Sequence, residues 1–473
     1  MTEPTPSTEP APPGEPAKTA SPSPSAPPPP ATPSSATSPP PATPSSATPS
    51  SATPPPGRPV AGRGNGSFGK NFLTALVEGN TITVTILAIV TAAVVGGLLS
   101  AFTNTSVLNA PAGDLIPRAW AAVAATYTAL FEGSIVNPHT LQALFQQASL
   151  PTALHDGYVS AVFKPLSETC VAATPLILAG LAVAVPYQAG MFNIGGQSQI
   201  IGGMIFSVWL GFDVSLPPVI HVVVCVAGGF AGGAVLGWLA GEIKARTGAH
   251  EVIVTIMLNY VMAYFLNFLL NSPSMLEAPG SNPVTPSIAS NAHLPHLFGP
   301  NLRLNVGFLI ALACAFGVWW LMNRTTTGFE FRAVGASASA ARVAGMKVER
   351  SWALVMLIAG GLAGLAGSAI VQGTDFAVNT SNYGSYGIDA ITVALLGRGR
   401  PGGVVWAGLL FGALNAASGL MQSAANTPPQ MVEVLESVIV LFIAAPPLIR
   451  TMYRLRATRA GGVGTTMSKG WNA

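Results

Sequence analysis

Charge is what this chain has least of. Only 8% of its 473 residues are Asp, Glu, Lys or Arg, against about a quarter in an ordinary soluble domain. That is too few to cover the surface of a soluble enzyme. Cysteine is scarce too. Cys170, Cys225 and Cys314 lie in three different apolar runs, with neither the pattern of a disulfide framework nor metal-ligand spacing. The six histidines are scattered, and His250-Glu251 lacks the second histidine, four residues on, of a zinc-protease helix. No GxSxG turn or triad can be assembled, so the sequence offers no catalytic residue and no metal ligand. A net charge of +3 gives nucleic acid little to bind. Apolar residues, in contrast, make up 49% of the chain, which excludes wholesale disorder and leaves a polytopic membrane protein.

Proline divides the chain. Of 42 prolines, 22 precede residue 61, and the first 66 residues are mainly Pro, Ser, Ala and Thr, reading ATPSSAT at Ala31–Thr37, Ala42–Thr48 and Ala47–Thr53. Such a stretch has almost nothing to bury, so residues 1–66 are expected to form a disordered tether of polyproline character, with a docking tail as the alternative. The tail has no signal-peptide core. Gly64–Asn71 nearly spells a phosphate-binding GxxxxGK[ST] loop. Asn71 stands where the hydroxyl would be and no strand precedes it, so it reads as a hinge.

A membrane domain is expected over residues 67–451 and a basic cytoplasmic tail over 452–473. Apolar runs that approach the length of a bilayer crossing occur at Ile82–Ala101, Thr169–Tyr187, Gly196–Gly211, Val219–Ala240, Val252–Leu270, Val306–Met322, Trp352–Val371, Val404–Met421 and Val434–Ile449. Tyr386–Gly397 is a shorter run, readable as a re-entrant or broken helix. Counting it as a crossing puts 18 Lys and Arg inside and only Arg118, Lys164 and Arg303 outside, as the positive-inside rule requires. The expected fold is therefore all-α, with about ten transmembrane segments and both termini cytoplasmic. Two long outer loops remain. Within the first, Pro117–Phe131 reads as a helix on the outer surface, too short to span. The second, Asn271–Arg303, holds six prolines and reads as irregular. Glycines four apart (Gly229/Gly233/Gly237/Gly241, Gly360/Gly364, Gly408/Gly412) suit close helix packing.

Four features stand out from this scaffold. Met191–Gln199 is a polar, glycine-containing break between apolar runs, either a short turn or a discontinuous helix of the kind found at transport sites. Glu251, Thr255 and Asn259 share one helical face, directed at other helices or at a wet cavity. The inside loop Asn323–Arg350 carries five basic and two acidic residues, and its core Gly335–Gly345 reads as a small, knob-like helix suited to a partner's groove. Asp389 lies inside the short run, where a carboxylate at the bilayer centre costs about 2.5–3.5 kcal/mol on insertion scales. It therefore faces protein or water. These features fit a pump-driven permease; the breaks and Asp389 also fit a stand-alone ion-coupled transporter or channel.

Together the four segments resemble the permease subunits of ATP-binding-cassette importers, in the superfamily handling branched-chain amino acids, ribose and nucleosides, nearest to its nucleoside and simple-sugar (guanosine-type) branch. Phe192–Gln199 is similar to its FNIG-x-x-x-Q element, and Ala249–Tyr260 to ANEV-x-x-TIMLNY. Gly328–Gly345 resembles G-x-x-x-RAVG-x-x-x-x-AA-x-x-AG, and Gly387–Gly397 GIDAI-x-VALLG. The likeness spans about residues 170–450. His250 stands where the family usually has Asn, and Ser198 where Glu or Gly is common. The resemblance implies no cofactor of the chain's own, with ATP bound and hydrolysed by a separate cytoplasmic ATPase. It also implies a second, paralogous permease subunit, an extracytoplasmic substrate-binding lipoprotein and a place in a prokaryotic plasma membrane. Phe192, Asn193, Gln197, Asn259 and Asp389 are the expected path residues. Arg332, Gly335, Ala340, Ala341 and Gly345 are the expected ATPase-coupling residues. The expected substrate is a nucleoside, then a sugar, then a branched-chain amino acid.

Overall fold

The computed structural model describes residues 81–444, apart from 110, 112, 147–157, 273–275, 277–282, 382–383, 426–427 and 429, together with 451–453. The expected tether, the hinge at Gly64–Asn71 and almost all of the basic tail lie outside the described residues.

Every apolar run is helical over its described residues. A backbone in hydrocarbon must satisfy its own hydrogen bonds, and a helix does so within one segment. The helices are α1 (Thr81–Thr103), α2 (Leu115–Ser134), α3 (Pro138–Gln146), α4 (Tyr158–Gln188), α5 (Gly196–Asp213), α6 (Pro218–Thr247), α7 (Glu251–Asn271), α8 (Val306–Arg324), α9 (Thr326–Ala336), α10 (Ala338–Val343), α11 (Val348–Ile370), α12 (Tyr386–Leu396), α13 (Pro401–Ala425) and α14 (Gln430–Ala444). Among the described residues no strand forms, only isolated bridges pairing Val284 with Asn379 and His296 with Asn305.

The 31-residue α4 is the axis of the molecule. Its stretch Leu176–Val185 is buried throughout, enclosed by α8, α11, α12 and α13. Beside it, α6 and α11 run antiparallel along the glycines. A methyl group at Gly233 would stand 2.2 Å from the Gly360 carbonyl oxygen, and one at Gly364 2.1 Å from that of Gly229. Only glycine permits that backbone approach, the main route to tight packing where lipid is as apolar as the side chains. Gly203 of α5 joins the same seam, facing the Gly364 backbone.

The chain ends of these helices define two faces of the bundle. At one, Gly241 meets Ala353, Gly335 meets Gln188 and Gly399 meets Tyr187. Between Lys244 and Arg400, every Lys and Arg except Arg303 belongs to this basic end. At the opposite end the 283–305 segment folds over the helix termini. Ile288 N donates to Phe376 O (2.8 Å), Ala289 N to Gly211 O (2.9 Å) and Leu304 N to Ser167 Oγ (2.9 Å). His293 stacks on Phe376, rings 4.1 Å apart, and burial holds its imidazole pKa below the ordinary histidine value. The loop is irregular, as its prolines predict, but tied down along its described length.

One expectation is met in part and a second changes. Among the described residues six helices are long and apolar enough to cross a membrane (Val159–Gln188, α6, α7, α8, Val348–Asp375 and Pro401–Ala424), or seven if the pair α2–α3, bent by 57°, is one span. α12 has 11 residues, and α5 carries Gln197, Ser198 and Gln199 in its first turn. Second, the helix read at Pro117–Phe131 extends over Leu115–Ser134 and is not a solitary surface element. It packs on α1 and α13 through buried Ala122, Thr126, Ala129 and Ser134. Its small-residue face was the signal, spaced at four, three and five.

Candidate functional site

The break after α4 is built by its own residues. Gly190 adopts a left-handed φ of 72° and Met191 N donates back to Pro186 O (3.0 Å), a glycine-terminated helix stop. The chain then turns back along α4. Asn193 Nδ2 donates to Ala182 O (3.2 Å), six residues before the helix end, a climb of about 9 Å. The elbow 189–195 is thus re-entrant, and α5 starts inside the bundle.

Enclosed amides hold the elbow. Asn193 is fully buried; its Nδ2 also donates to Gln199 Oε1 (2.9 Å), while its Oδ1 accepts from Gly195 N (3.1 Å). The polar face read on α7 is aimed at this elbow along its whole length. Glu251 Oε1 accepts from Phe192 N (3.4 Å), and Thr255 packs on Gly195. Asn259 Nδ2 donates to Ile194 O (2.9 Å), while its Oδ1 accepts from Ser198 N (2.9 Å). Asn193 and Asn259 therefore use their amides to shape the break. Gln199 completes the clamp; the sequence placed it at the end of the Met191–Gln199 break but not among the expected path residues.

A second discontinuity meets the first. The chain descends from Phe376 at the loop end and α12 begins inside the bundle; its 11 residues rise about 16 Å, half a bilayer core. Gln197 joins the two starts: its Oε1 accepts from Gly387 N (2.8 Å) and its Nε2 donates to Gly384 O (3.3 Å). Two helix N-termini, each with a partial positive charge, thereby converge inside the bundle. Asp389, half-buried in the first turns of α12, accepts from Ser385 Oγ (2.6 Å) and lies within electrostatic reach of Glu433. Buried Glu436 accepts from Asn415 Nδ2 (3.2 Å). Phe192 sits lower, edge-on to Tyr187 with rings 6.5 Å apart, beside Arg398.

The basic loop is two helices, not one. α9 ends at Ala336, Ser337 is extended, and α10 runs Ala338–Val343 with the Ser337 side chain accepting from Ala340 N. Gly335 belongs to the last turn of α9 and abuts the elbow backbone; a methyl there would lie 2.5 Å from Gln188 O and 2.7 Å from Ala189 C. Ala341 is buried against Val334 and Val348. Arg332, Ala340 and Gly345 are exposed, Arg332 reaching Asn323 Oδ1 (3.4 Å). The most exposed apolar side chain of the tip is one the sequence did not single out, Val343, at 91%. Arg342 beside it pairs with Glu349.

Residues 166–444 match the family described as branched-chain amino acid transport system / permease component. Among curated proteins, the chain is similar to the guanosine ABC transporter permease protein NupP of Bacillus subtilis, 34% identical over 307 residues, covering 65% of this chain and 88% of the relative. It is also 34% identical to the nucleoside ABC transporter permease protein NupB of Lactococcus lactis, covering 63% and 84%. The glucose ABC transporter permease protein TsgB13 of Haloferax volcanii is 34% identical as well, covering 59% and 75%. No solved structure matches the chain. A family match over more than half the chain shows its membership: the chain belongs to this family and is a multi-pass permease of the prokaryotic plasma membrane.

Proposed function

We propose that this permease moves a nucleoside inward as the membrane subunit of an ATP-driven ABC importer, with a simple sugar as the next substrate class. One observation carries the reading. Gly335, in the last turn of α9 within the basic loop, abuts the Gln188–Gly190 backbone from which the re-entrant elbow leads to the paired helix starts at Gln197 and Gly387. A push on the loop therefore reaches mid-depth through backbone. The substrate class rests on the guanosine and nucleoside permeases among the relatives; the glucose permease supports the alternative.

In this reading the basic end is cytoplasmic, the chain crosses ten times and both termini are inside. A separate ATPase binds and hydrolyses ATP, so the permease needs no cofactor of its own. A second, paralogous permease completes the path and an extracytoplasmic lipoprotein delivers substrate. Gln197 and Asp389 face the substrate. Asn193 and Asn259 shape the path, and Phe192 with Tyr187 narrows its cytoplasmic mouth. Transport is then a population shift between inward- and outward-open states set by the ATPase.

The test is uptake of labelled guanosine into proteoliposomes holding permease, ATPase and binding protein, with glucose as competitor. ATP-dependent uptake unaffected by glucose is expected. Gradient-driven flux through the permease alone would instead support an ion-coupled transporter. Val343→Asp, which puts a charge on the exposed tip, should abolish both co-purification of the ATPase and uptake. Gly335 and Ala341 are packed inward, so bulk there tests the seating of the loop instead.

A further inference from the structure

Glu251 and Lys244 form an ion pair that the path described above does not use. Glu251 opens α7 and is 7% exposed; its Oε2 lies 2.5 Å from Lys244 Nζ, in the last turn of α6. Its other oxygen accepts from Phe192 N, so the carboxylate links α6 and α7 to the elbow. His250 is the remaining charged or titratable neighbour, Nδ1 at 4.0 Å and largely exposed. Lys244 Nζ also stands over the Trp352 ring, 4.9 Å from its centroid. Trp352, in the first turns of α11, packs in two clusters at once. One is Met191, Ala240 and Met356, around the elbow; the other is Val334, Ala341 and Val348, under the basic loop. The loop thus reaches the elbow by two routes, directly at Gly335 and through Trp352, Lys244 and Glu251.

We propose that the Lys244–Glu251 pair is a latch that holds Phe192 and the elbow in place and yields only when the basic loop is displaced. The inference rests on the permease reading above, and both residues are positioning residues. A largely enclosed pair, its side chains 18% and 10% exposed, is suited to this. Removing either partner leaves an uncompensated charge, so the elbow is held firmly while both are seated and poorly once Trp352 shifts Lys244. Without the latch the mouth opens out of step with ATP hydrolysis.

The test uses the reconstituted importer and reads ATP hydrolysed per substrate moved. Glu251→Gln and Lys244→Gln should each raise that ratio about fivefold or more, the scale of a modest coupling free energy. The double variant should be no worse than either single one, because the pair acts as a unit. Lys244→Arg, which keeps charge and reach, should stay within about twofold of wild type, whereas a purely packing role predicts loss there as well. Where Glu251→Gln fails to assemble with the ATPase, the two Lys244 variants carry the comparison. An unchanged ratio in the Gln variants, or a double variant showing the product of the single effects, overturns the latch. Wild-type importer without ATP-dependent uptake overturns the permease reading instead.

Discussion

Asn193 shows what a single buried amide does here. Both of its polar atoms are used inside the elbow, and Gln199, also buried, depends on it: Gln199 Nε2 donates to Asn193 Oδ1 (3.2 Å). Asn193→Ala therefore leaves the amide of Gln199 with less to bond in a dry setting, at a cost of about 1–3 kcal/mol. Thermal unfolding in nanodiscs should show the loss, and an unshifted midpoint would mean that Asn193 is not a clamp. Polarity was legible in the sequence at this position and at Asn259, because a polar side chain inside an apolar run must find a partner. Which partner it finds was not legible. Ala182 and Gln199 come within reach of Asn193 only because the chain reverses at Gly190, and no spacing rule reports the path taken after a reversal.

Among the elements, the α6–α11 seam depends on backbone contact. Gly233 has Gly360 O and the Gly364 backbone where a methyl would go, whereas Gly317 on α8 has nothing within 4 Å. Gly233→Ala should push the two helices apart and destabilise by about 1–3 kcal/mol. Gly317→Ala removes only backbone freedom and should be neutral or stabilising by up to about 1 kcal/mol. Equal melting shifts in the two variants would reject the seam. Glycines four apart were readable as a packing face, and the sequence placed both halves of the seam correctly on helices. Pairing Gly233 with Gly360 was beyond it, since the period gives a face and not its partner. The opposite error occurred at α2, where Arg118 and Glu132 near the ends of the apolar stretch made the helix look superficial. Its alanine, threonine and glycine face packs on α13, with a methyl at Gly133 falling 2.9 Å from Ala417 Cα.

For the whole molecule the question is how the proposed ten-crossing topology uses an 11-residue helix. α12 ends beside Tyr187, because Gly399 O accepts from Gln188 Nε2 (2.6 Å), so its C-terminus reaches the basic end. Its N-terminus stops at Gln197, and the described residues between Phe376 and it, 376–381 and 384–385, are non-helical. Non-helical backbone at membrane depth survives only where protein or water covers it, so this segment must be either sealed or wet. Ser385, exposed at the start of α12, distinguishes the two. In a chain whose three cysteines are replaced, Ser385→Cys should react with a small membrane-impermeant thiol reagent added outside, although it lies at mid-depth. Ser339→Cys at the basic loop should react only when the reagent has access to the cytoplasmic side, and Asn301→Cys only from outside. That pattern requires the odd number of crossings between residues 301 and 339 that α8 supplies, and a water-filled approach to Gln197. Labelling of Ser339→Cys from outside would invert the topology. Protection of Ser385→Cys from both sides would leave the topology intact but close the path at the point where the two helix N-termini meet.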